Sequence, residues 1–594
     1  MADREDGDLV TWQISVEGTT IPTDYQVTSI EIEQTVNRIA RARLRLKDGN
    51  AATQDFAISA SATFVPGSAI SISLGYDNTN QTVFSGVITG QRLSLSGRID
   101  STLEVDCRDS AIQLTVGRKS AAYSKTKDSE VISTILSNAG LQADVADTSI
   151  KLEELVQYDS SDWDFIVSRA EINGMLVLTL SGKVKVFDPL KQSAPSITLT
   201  HGSTLYGFQG ELSAIGQLDQ VKASAWDPVN RQLLSASASS SFTGPGNLTS
   251  KKLASLMKQN EVSLQTGASE TQDSLSAWAK AQVAKSELAK IVASATIQGR
   301  NDLTPGQTVK LAGLGERFNG THLVTGMRHD VRAGNWRSEL KLGHERHWFV
   351  EQHEVSAPRA AGLLPGIQGL FNGTVLKIDA DPDNQFRIQV EVALFNDNNS
   401  GIWARMAHFY ATDSQGAFFL PEVGDEVVLG FLNGDPRYPV ILGSLYGKNR
   451  KPNSKLTPDS ANSQKALYTK NGLYLLFDDK DKIMTFATPG GNQLVLDDKN
   501  GKVQIIDQNN NSIQLDSNGI TLKSASSLTA QAAQSVTIKG DSGISMQSSG
   551  GDVNVKGSDI ALTAQAQLTA KGNASAEIQG GGQLTLKGGT VMIN

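Results

Sequence analysis

The sequence predicts a mainly β protein with a few helices, in which sheets closed as barrels or sandwiches precede a winding of short strands. Three observations predict this class. Residues 1–362 contain many short runs in which apolar and polar residues alternate, as in strands with one buried face. Residues 363–450 hold five short strands, which suit one small closed barrel. Residues 451–594 repeat pairs of aliphatic residues, most often with a step of eight.

The composition argues against several classes of partner. Charged residues make up 20% of the 594 residues, the net charge is −8 and the isoelectric point is about 5.5. An acidic chain is a poor match for nucleic acid or an anionic membrane. The acidic start Met1–Asp8 has no apolar core, so we expect no signal peptide. No apolar run is long enough to span a bilayer. The single cysteine, Cys107, is expected to fill the core.

Strands dominate the chain from Leu9 to about Asp188. A helix is predicted from Ser129 to Asn138, with Ser129 or Asp128 as its cap and Gly140 after its end. A second helix is predicted around Ser161–Glu171, followed by a strand from Met175 to Leu180. Apolar and polar residues alternate in five segments: Thr11–Val16, Ser29–Glu33, Ala42–Leu46, Ala69–Leu74 and Leu103–Asp106.

The next segment contains one loop and one long helix. Ser235–Asn247 is rich in Ser, Ala and Gly and is predicted to be a surface loop. Ser274–Ile291 is predicted to be an amphipathic helix, with a strand resuming at Ala293. The large apolar residues of the helix are expected to lie in the core: Trp278, Val283, Leu288 and Ile291.

A family resemblance appears in the segments Leu303–Leu311 and Gly313–His329. Together with Ser161–Gly174 and the strand that ends in Trp226–Pro228, they resemble the "late control" hub proteins of contractile phage tails and the VgrG proteins. The glycines of Gly313–His329 are typical of turns. They do not form a dinucleotide fingerprint, because the third glycine is missing and no helix follows. The resemblance implies that residues 1–362 are a hub region with two β-barrel subdomains and helical connections.

Residues 363–450 give the clearest match. The runs Trp403–Arg405, Phe419–Val427 and Gly434–Tyr446 resemble the OB domain of VgrG and related tail spikes. Five short strands in about 80 residues suit the OB fold. An OB barrel alone would suggest oligonucleotide binding. These strands carry no platform of basic and aromatic side chains, so we expect no nucleic acid there.

Aliphatic pairs organise residues 451–594, the needle region. Within a pair the spacing is two, the period of a strand, and Gly, Asn, Asp, Ser and Lys between pairs favour turns. No proline follows Pro489 and no aromatic residue follows Phe486, so the interior must be narrow. The pairs are Val503/Ile505, Ile513/Leu515, Ile520/Leu522, Leu528/Ala530, Val536/Ile538, Ile544/Met546, Val553/Val555, Ile560/Leu562, Leu568/Ala570, Ala576/Ile578, Leu584/Leu586 and Val591/Ile593.

One chain with two apolar residues per short strand cannot enclose a core. Three copies wound around one axis can, and they give an intertwined trimeric triangular β-helix, a β-prism. A single-chain β-helix is the alternative, but its coils need more than about eight residues each. The predicted trimer core contains Val536, Ile538, Ile544, Met546, Val553, Val555, Ile560, Leu562, Leu584 and Leu586.

Candidate catalytic and metal-binding residues are few. His344 and His347, with Glu351, His353 and Glu354, could only ligate zinc on a helix; they follow a strand, so hydrogen-bonded imidazoles are expected. The pairs Asp478/Asp479 and Asp497/Asp498 are expected in hairpin turns rather than as a glycosidase dyad. No nucleophile motif stands out. Too few residues separate Tyr446 from Leu473 for an inserted enzyme domain, and no histidine follows His408 to hold an apical iron. We expect no enzyme activity, cofactor or metal.

The resemblance implies a non-enzymatic homotrimeric spike of a contractile injection system. It implies that the hub region contacts the inner tube ring and baseplate components, and that a PAAR-type tip protein docks on Gly588, Gly589, Thr590, Val591, Met592, Ile593 and Asn594. It further implies assembly in the cytoplasm, delivery out of the cell with or without effector cargo, and transient contact with the target membrane. The alternatives are a trimeric receptor-binding fibre or adhesin, and a spike with an unrecognised hydrolase.

Overall fold

The computed structural model describes residues 9–96, 100–191, 193–395 and 400–593. The chain separates into two compact units, Met1–Ser444 and Leu445–Asn594. The first unit contains the hub region and a small barrel, and the second contains the needle region.

A thirteen-stranded sheet forms the frame of the hub region, in the order β14-β18-β21-β20-β3-β4-β7-β6-β5-β1-β2, with β19 pairing with β20 and β13 with β19. The strands are β1 (Val10–Val16), β2 (Thr19–Thr20), β3 (Val27–Thr35), β4 (Arg41–Lys47), β5 (Ala69–Tyr76), β6 (Thr79–Ser96), β7 (Asp100–Arg108), β13 (Ile197–Thr200), β14 (Gly207–Leu212), β18 (Ile291–Gln298), β19 (Thr308–Ala312), β20 (Gly320–Arg332) and β21 (Asn335–Leu342).

Two separate cores lie along this sheet. Alternating side chains such as Ile14, Ile32 and Leu44 fill the first, and Ala295, Val309 and Leu340 are in the second. The two halves join where β3 pairs antiparallel with β20, from Thr35 opposite Gly326 to Ser29 opposite Arg332. Cys107 is fully buried in the first core, as predicted. The strand alternation in the sequence therefore reports real burial on one face of each strand.

Smaller sheets and the helices pack around the frame. The remaining elements of the hub region are β8 (Lys119–Lys127), α1 (Asp128–Asn138), β9 (Gln142–Val145), β10 (Lys151–Ser160), α2 (Asp162–Ile172), β11 (Leu176–Leu180), β12 (Lys183–Phe187), β15 (Gln220–Asp227), β16 (Gln232–Ser239), α3 (Ser250–Leu256), β17 (Glu261–Thr266), α4 (Gln272–Leu288) and α5 (Phe349–Gln352). Two helices begin at hydroxyl caps: the Ser161 hydroxyl accepts from the Asp164 amide at 3.0 Å, and the Thr271 hydroxyl accepts from the Ser274 amide at 3.1 Å. The cap predicted for α1 at Ser129 or Asp128 is wrong, because both residues lie in the first turn and Lys127 is the N-cap.

The loop prediction for Ser235–Asn247 is wrong at its start, because β16 continues to Ser239 and pairs with β15. Alternating residues of β16 pack in one core with Leu275 and Ala279 of α4; they are Leu234, Ala236 and Ala238. Alanine side chains are small, so their alternation was hidden in a run that reads as flexible. The short helix α3 was not predicted.

Residues 371–444 contain a closed five-stranded barrel. Its strands are β22 (Phe371–Lys377), β23 (Ile388–Glu391), β24 (Ile402–Met406), β27 (Glu426–Phe431) and β28 (Pro439–Ser444), in the closed order β22-β23-β24-β28-β27. The short strands β25 (Ala411–Thr412) and β26 (Gln415–Gly416) form a hairpin outside it. Val375, Ile388, Val390, Val427 and Ile441 are buried inside. The small closed barrel predicted for this part of the chain is confirmed.

The needle region begins with a seven-stranded antiparallel sheet in which each strand pairs with the next. The strands are β29 (Gln464–Tyr468), β30 (Tyr474–Asp478), β31 (Ile483–Ala487), β32 (Gln493–Asp497), β33 (Lys502–Ile506), β34 (Ser512–Asp516) and β35 (Gly519–Lys523). We call it the needle sheet. Residues 524–593 follow without helix or strand, and the backbone there bends at intervals of about eight residues, the step of the aliphatic pairs.

Candidate functional site

One face of the needle sheet is apolar at every position except Lys465. Leu494 lies opposite Ile505, Val503 opposite Leu515 and Ile513 opposite Leu522, so the same rows continue from strand to strand. The apolar members of this face are Leu467, Leu475, Phe477, Met484, Phe486, Leu494, Leu496, Val503, Ile505, Ile513, Leu515, Ile520 and Leu522. The predicted pairs Val503/Ile505, Ile513/Leu515 and Ile520/Leu522 all belong to it.

This apolar face is open to solvent within a single chain. Ile505 is 48% exposed and Ile520 is 71% exposed. The opposite face is mixed and carries the side chains of Thr485, Gln504 and Gln514, with Gln514 Nε2 donating to Asp516 Oδ2 at 2.7 Å. A monomer rarely leaves a contiguous apolar surface of this kind uncovered. The apolar face therefore has the character of an interface.

The turns of the needle sheet are closed by aspartate side chains. Asp497, at the end of β32, accepts hydrogen bonds from the Asn500 backbone at 3.0 Å and from the Asn500 side chain at 2.9 Å. The hydrogen bond from the Asn500 side chain lowers the pKa of Asp497 below its ordinary range. Asp478 ends β30 and accepts from the backbone of the following turn. The acidic pairs thus lie in hairpin turns, as the sequence predicted.

Residues 524–593 lack the contacts that the needle sheet makes. Every described residue from 525 to 593 is exposed, and the described part of this segment forms no backbone–backbone hydrogen bond. All ten residues of the predicted trimer core lie here and are more than half exposed: Val536, Ile538, Ile544, Met546, Val553, Val555, Ile560, Leu562, Leu584 and Leu586. Backbone amides and carbonyls need partners once they leave water. This chain alone does not build the core predicted for these residues.

The predicted docking residues for a tip protein lie at the end of the same segment. Gly588 to Ile593 are exposed, Met592 and Ile593 are each more than four-fifths exposed, and the backbone bends at residues 589–590. Asn594 is outside the described residues. The docking role remains a prediction.

The histidine cluster predicted near residues 344–353 is held by local contacts. The His344 amide donates to the Leu288 carbonyl at 2.9 Å, and burial lowers the pKa of its imidazole to about 4. His353 Nδ1 lies 3.2 Å from the Phe349 carbonyl oxygen, and its ring stacks on that of Phe349. His347 Nδ1 lies 3.5 Å from Glu351 Oε2. Across the described ranges, no group of three or more His, Cys, Asp and Glu residues is arranged to hold a metal ion.

A buried junction beside this cluster was missed from the sequence. Glu171 of α2 accepts from Lys285 Nζ of α4 at 2.7 Å, from Asn37 Nδ2 at 3.2 Å and from the Phe349 amide at 2.7 Å. The ammonium group of Lys285 also lies over the Trp348 ring. The run of alanines in α4 was the available signal, because small residues allow a helix to pack on more than one side.

No helix in the described residues combines the length and hydropathy needed to cross a membrane. The OB-like barrel carries exposed aromatic residues on its hairpin.

Two family models match this chain, both almost wholly within the first compact unit. The Alg8 N-terminal domain matches residues 6–333, more than half of the chain, and the type VI secretion system/phage-baseplate injector OB domain matches residues 371–446. The type VI secretion system spike protein VgrG3 of Vibrio cholerae is 30% identical over 115 residues, covering 19% of this chain and 9% of the relative. The actin cross-linking toxin VgrG1 of V. cholerae is 26% identical over 164 residues, covering 27% of this chain and 13% of the relative.

Among solved structures, this chain is similar to the 43 kDa tail protein of prophage MuSo2 from Shewanella oneidensis. It is 10% identical, has a TM-score of 0.44, and the match covers 57% of this chain and 98% of that chain. The matched segments span only about a tenth of the curated relatives' length. The match at residues 371–446 agrees with the OB domain expected from the sequence, and the match at residues 6–333 lies within the segment 1–362. The chain therefore belongs to the Alg8 family by its N-terminal domain, and it carries the phage-baseplate injector OB domain and resembles VgrG spike proteins over the matched segments.

Proposed function

We propose that this chain is a non-enzymatic homotrimeric spike at the tip of a contractile injection system. One observation carries the proposal: residues 524–593 repeat aliphatic pairs with a step of about eight, while the described part of this segment forms no backbone–backbone hydrogen bond and leaves its aliphatic side chains exposed. Such a segment folds only against other strands with the same repeat. The simplest source of such strands is a second and a third copy of this chain.

Three copies satisfy the geometry of both parts of the needle region. Three needle sheets placed with their apolar faces inward enclose a narrow core of Leu, Ile, Val, Met and Phe. Past Lys523, the strands of the three chains then supply one another's missing ladder hydrogen bonds. Each enclosed Val, Ile or Leu contributes about 1.5–3 kcal/mol. Repeated over the pairs in three chains, this stabilisation makes dissociation slow.

In this proposal the other parts of the chain have roles in the same particle. The hub region adapts the trimer to the inner tube ring, and baseplate components surround it. A PAAR-type tip protein covers Gly588–Asn594, and effector cargo travels with the spike when it is loaded. Contraction of a sheath drives the rigid trimer through the target membrane. The particle is assembled in the cytoplasm and is delivered to the extracellular space or target cell. These roles are supported by the family and by the domain order.

The mass of the purified full-length chain tests the proposal. A native mass of three chains, measured by light scattering or native mass spectrometry, is expected at all accessible concentrations. A monomeric or dimeric mass would overturn it. A trimer that co-purifies with a cell-surface receptor but with no tube component would favour the receptor-binding fibre instead. The related actin cross-linking toxin VgrG1 shows by name that a VgrG protein can be a toxin, so an assay for hydrolysis of cell-wall or nucleotide substrates tests the enzymatic alternative.

A further inference from the structure

A hairpin on the OB barrel carries a second exposed apolar surface. The chain leaves the barrel after Ala407, whose amide donates to the Ile441 carbonyl at 2.9 Å, and it returns at Leu420, which packs on the barrel core. Between them, Ala411 pairs with Gly416 and Thr412 with Gln415. Four aromatic residues flank these short strands: Phe409, Tyr410, Phe418 and Phe419. We call them the aromatic hairpin.

The aromatic hairpin exposes far more apolar surface than a short hairpin needs. Phe409 is 88% exposed and Phe418 is 71% exposed, while Tyr410 and Phe419 are each 54% exposed. An aromatic side chain buries about 150–250 Å² when it is covered, so the four rings together offer several hundred Å². A patch of this size on a soluble protein marks a contact with another molecule.

The structure of the hairpin favours a dry contact with a preformed surface. The Ala417 amide donates to the Tyr410 carbonyl at 2.9 Å, so the aromatic flanks are held together across the hairpin. The Phe418 ring also stacks on His408. Asp413 at the turn is the only Asp, Glu, Lys or Arg between residues 407 and 421. A charged membrane surface or nucleic acid would need basic side chains, and these residues contain none.

We propose that the aromatic hairpin packs against the OB barrel of a second copy of this chain. This inference rests on the proposed trimer. Residues 445–463 tether each barrel to the first strand of the needle sheet, which begins at Gln464. A tether of this length holds the other two barrels at an effective concentration of about millimolar. A modest buried apolar area then suffices for a stable contact. Formation of the needle has already offset most of the translational and rotational freedom that the chains lose on association.

Cysteine labelling of the full-length protein tests the contact. The native Cys107 is a quiet background, because it is fully buried and burial raises the pKa of its thiol to about 12. Phe409→Cys reports on the hairpin. Phe386→Cys is the matched control, since Phe386 is 82% exposed in the same barrel but lies outside the hairpin. Each variant is first checked for its native mass and then treated with a maleimide.

In the trimer we expect the Phe409→Cys thiol to react at least roughly tenfold more slowly than the Phe386→Cys thiol, as for a site that is reached only through local opening. Adding Ile513→Asp and Leu515→Asp, which breaks the needle, should make the two rates equal. A trimer in which both thiols react at the same rate would overturn the hairpin contact and leave the trimer proposal standing. Protection that persists in the monomeric variant would also overturn it, because a second copy would not be the cover. Absence of any trimer in the unmodified chain would instead refute the proposed function.

Discussion

Glu171 and Lys285 form an ion pair of 2.7 Å in which both side chains are almost fully buried. The pair connects α2 to α4, and the Phe349 amide adds the segment that leads out of the hub region toward the OB barrel. A spike must transmit force between these parts without deforming. We infer that this junction stiffens the exit of the hub region.

Removing one partner of the junction should be costly. Lys285→Met leaves the Glu171 carboxylate buried without its cation, so we expect the hub region to lose about 3–5 kcal/mol of its free energy of unfolding. The double variant Glu171→Gln, Lys285→Met should recover much of the loss, because no buried charge remains. Denaturant unfolding of the full-length protein measures both. Lys280→Met on the exposed side of α4 is the control, and an equal loss in that variant would contradict the assignment.

Two adjacent residues of β34 should differ in how substitution by aspartate affects the trimer. Ile513 lies on the apolar face of the needle sheet and Gln514 on the other face. Ile513→Asp places three carboxylates in the proposed core, where each must lose its hydration or take up a proton. Gln514→Asp changes a position that water screens. Native mass should show loss of the trimer only for Ile513→Asp. Loss in both variants would mean that the inward and outward faces are misassigned.

Removing Gly588–Asn594 should abolish binding of the tip protein and leave the trimer intact. The deletion removes about one repeat of the needle, so most of the apolar contact remains. The recognition surface is lost, because Met592 and Ile593 are the most exposed large apolar residues of the segment. Co-purification with a PAAR-type protein produced in the same cells compares the full-length and shortened trimers. Retention of that protein by the shortened trimer would place its docking site elsewhere.

The hub region should lose stability in mild acid. Burial lowers the pKa values of His322, His329 and His344 from 6.5 to about 4. Below pH 6.5 the unfolded chain takes up protons that the folded chain refuses, so the free energy of unfolding falls as the pH drops from 6.5 toward 4. Above pH 6.5 it should not depend on these groups. Calorimetry at a series of pH values measures the hub transition. The needle region contains no histidine and provides an internal control, and a hub transition that stays constant between pH 6.5 and 4.5 would contradict this account.

The needle sheet shows how far sequence reasoning reaches. Val503, Ile505, Ile513 and Leu515 were predicted to share one face, and their register places them there. The predictive signal was strong because a strand has a side-chain period of two and a slip of one residue would reverse every side chain. Hairpins with turns at Asp478/Asp479 and Asp497/Asp498 were predicted, but the continuation of antiparallel pairing within the chain up to Lys523 was not. It depends on the turns at Asp478 and Asp497, and the repeat by itself does not say which strand pairs with which.

The hub region shows where such reasoning stops. The helices around Ser129–Asn138 and Ser161–Glu171 could be predicted, because helix periodicity and end signals are local patterns of a few residues. The Glu171–Lys285 pair could not, because its partners lie far apart in the sequence and both residue types normally face solvent. The aromatic hairpin lies in a segment that was assigned to the OB domain as a whole, and its exposure became visible only when the barrel core was known.

Strand pairing within one chain ends at Lys523, so folding has two stages that depend differently on protein concentration. Residues 464–523 can form their sheet in each chain alone, at a rate that does not depend on protein concentration. In the proposed trimer, residues 524–593 must wait for encounters between chains, so their ordering becomes faster as the concentration rises. Once three chains are wound together, separating them requires unwinding rather than a single sideways release. A spike built in this way assembles at a speed set by how quickly its gene product accumulates, yet afterwards survives at any dilution.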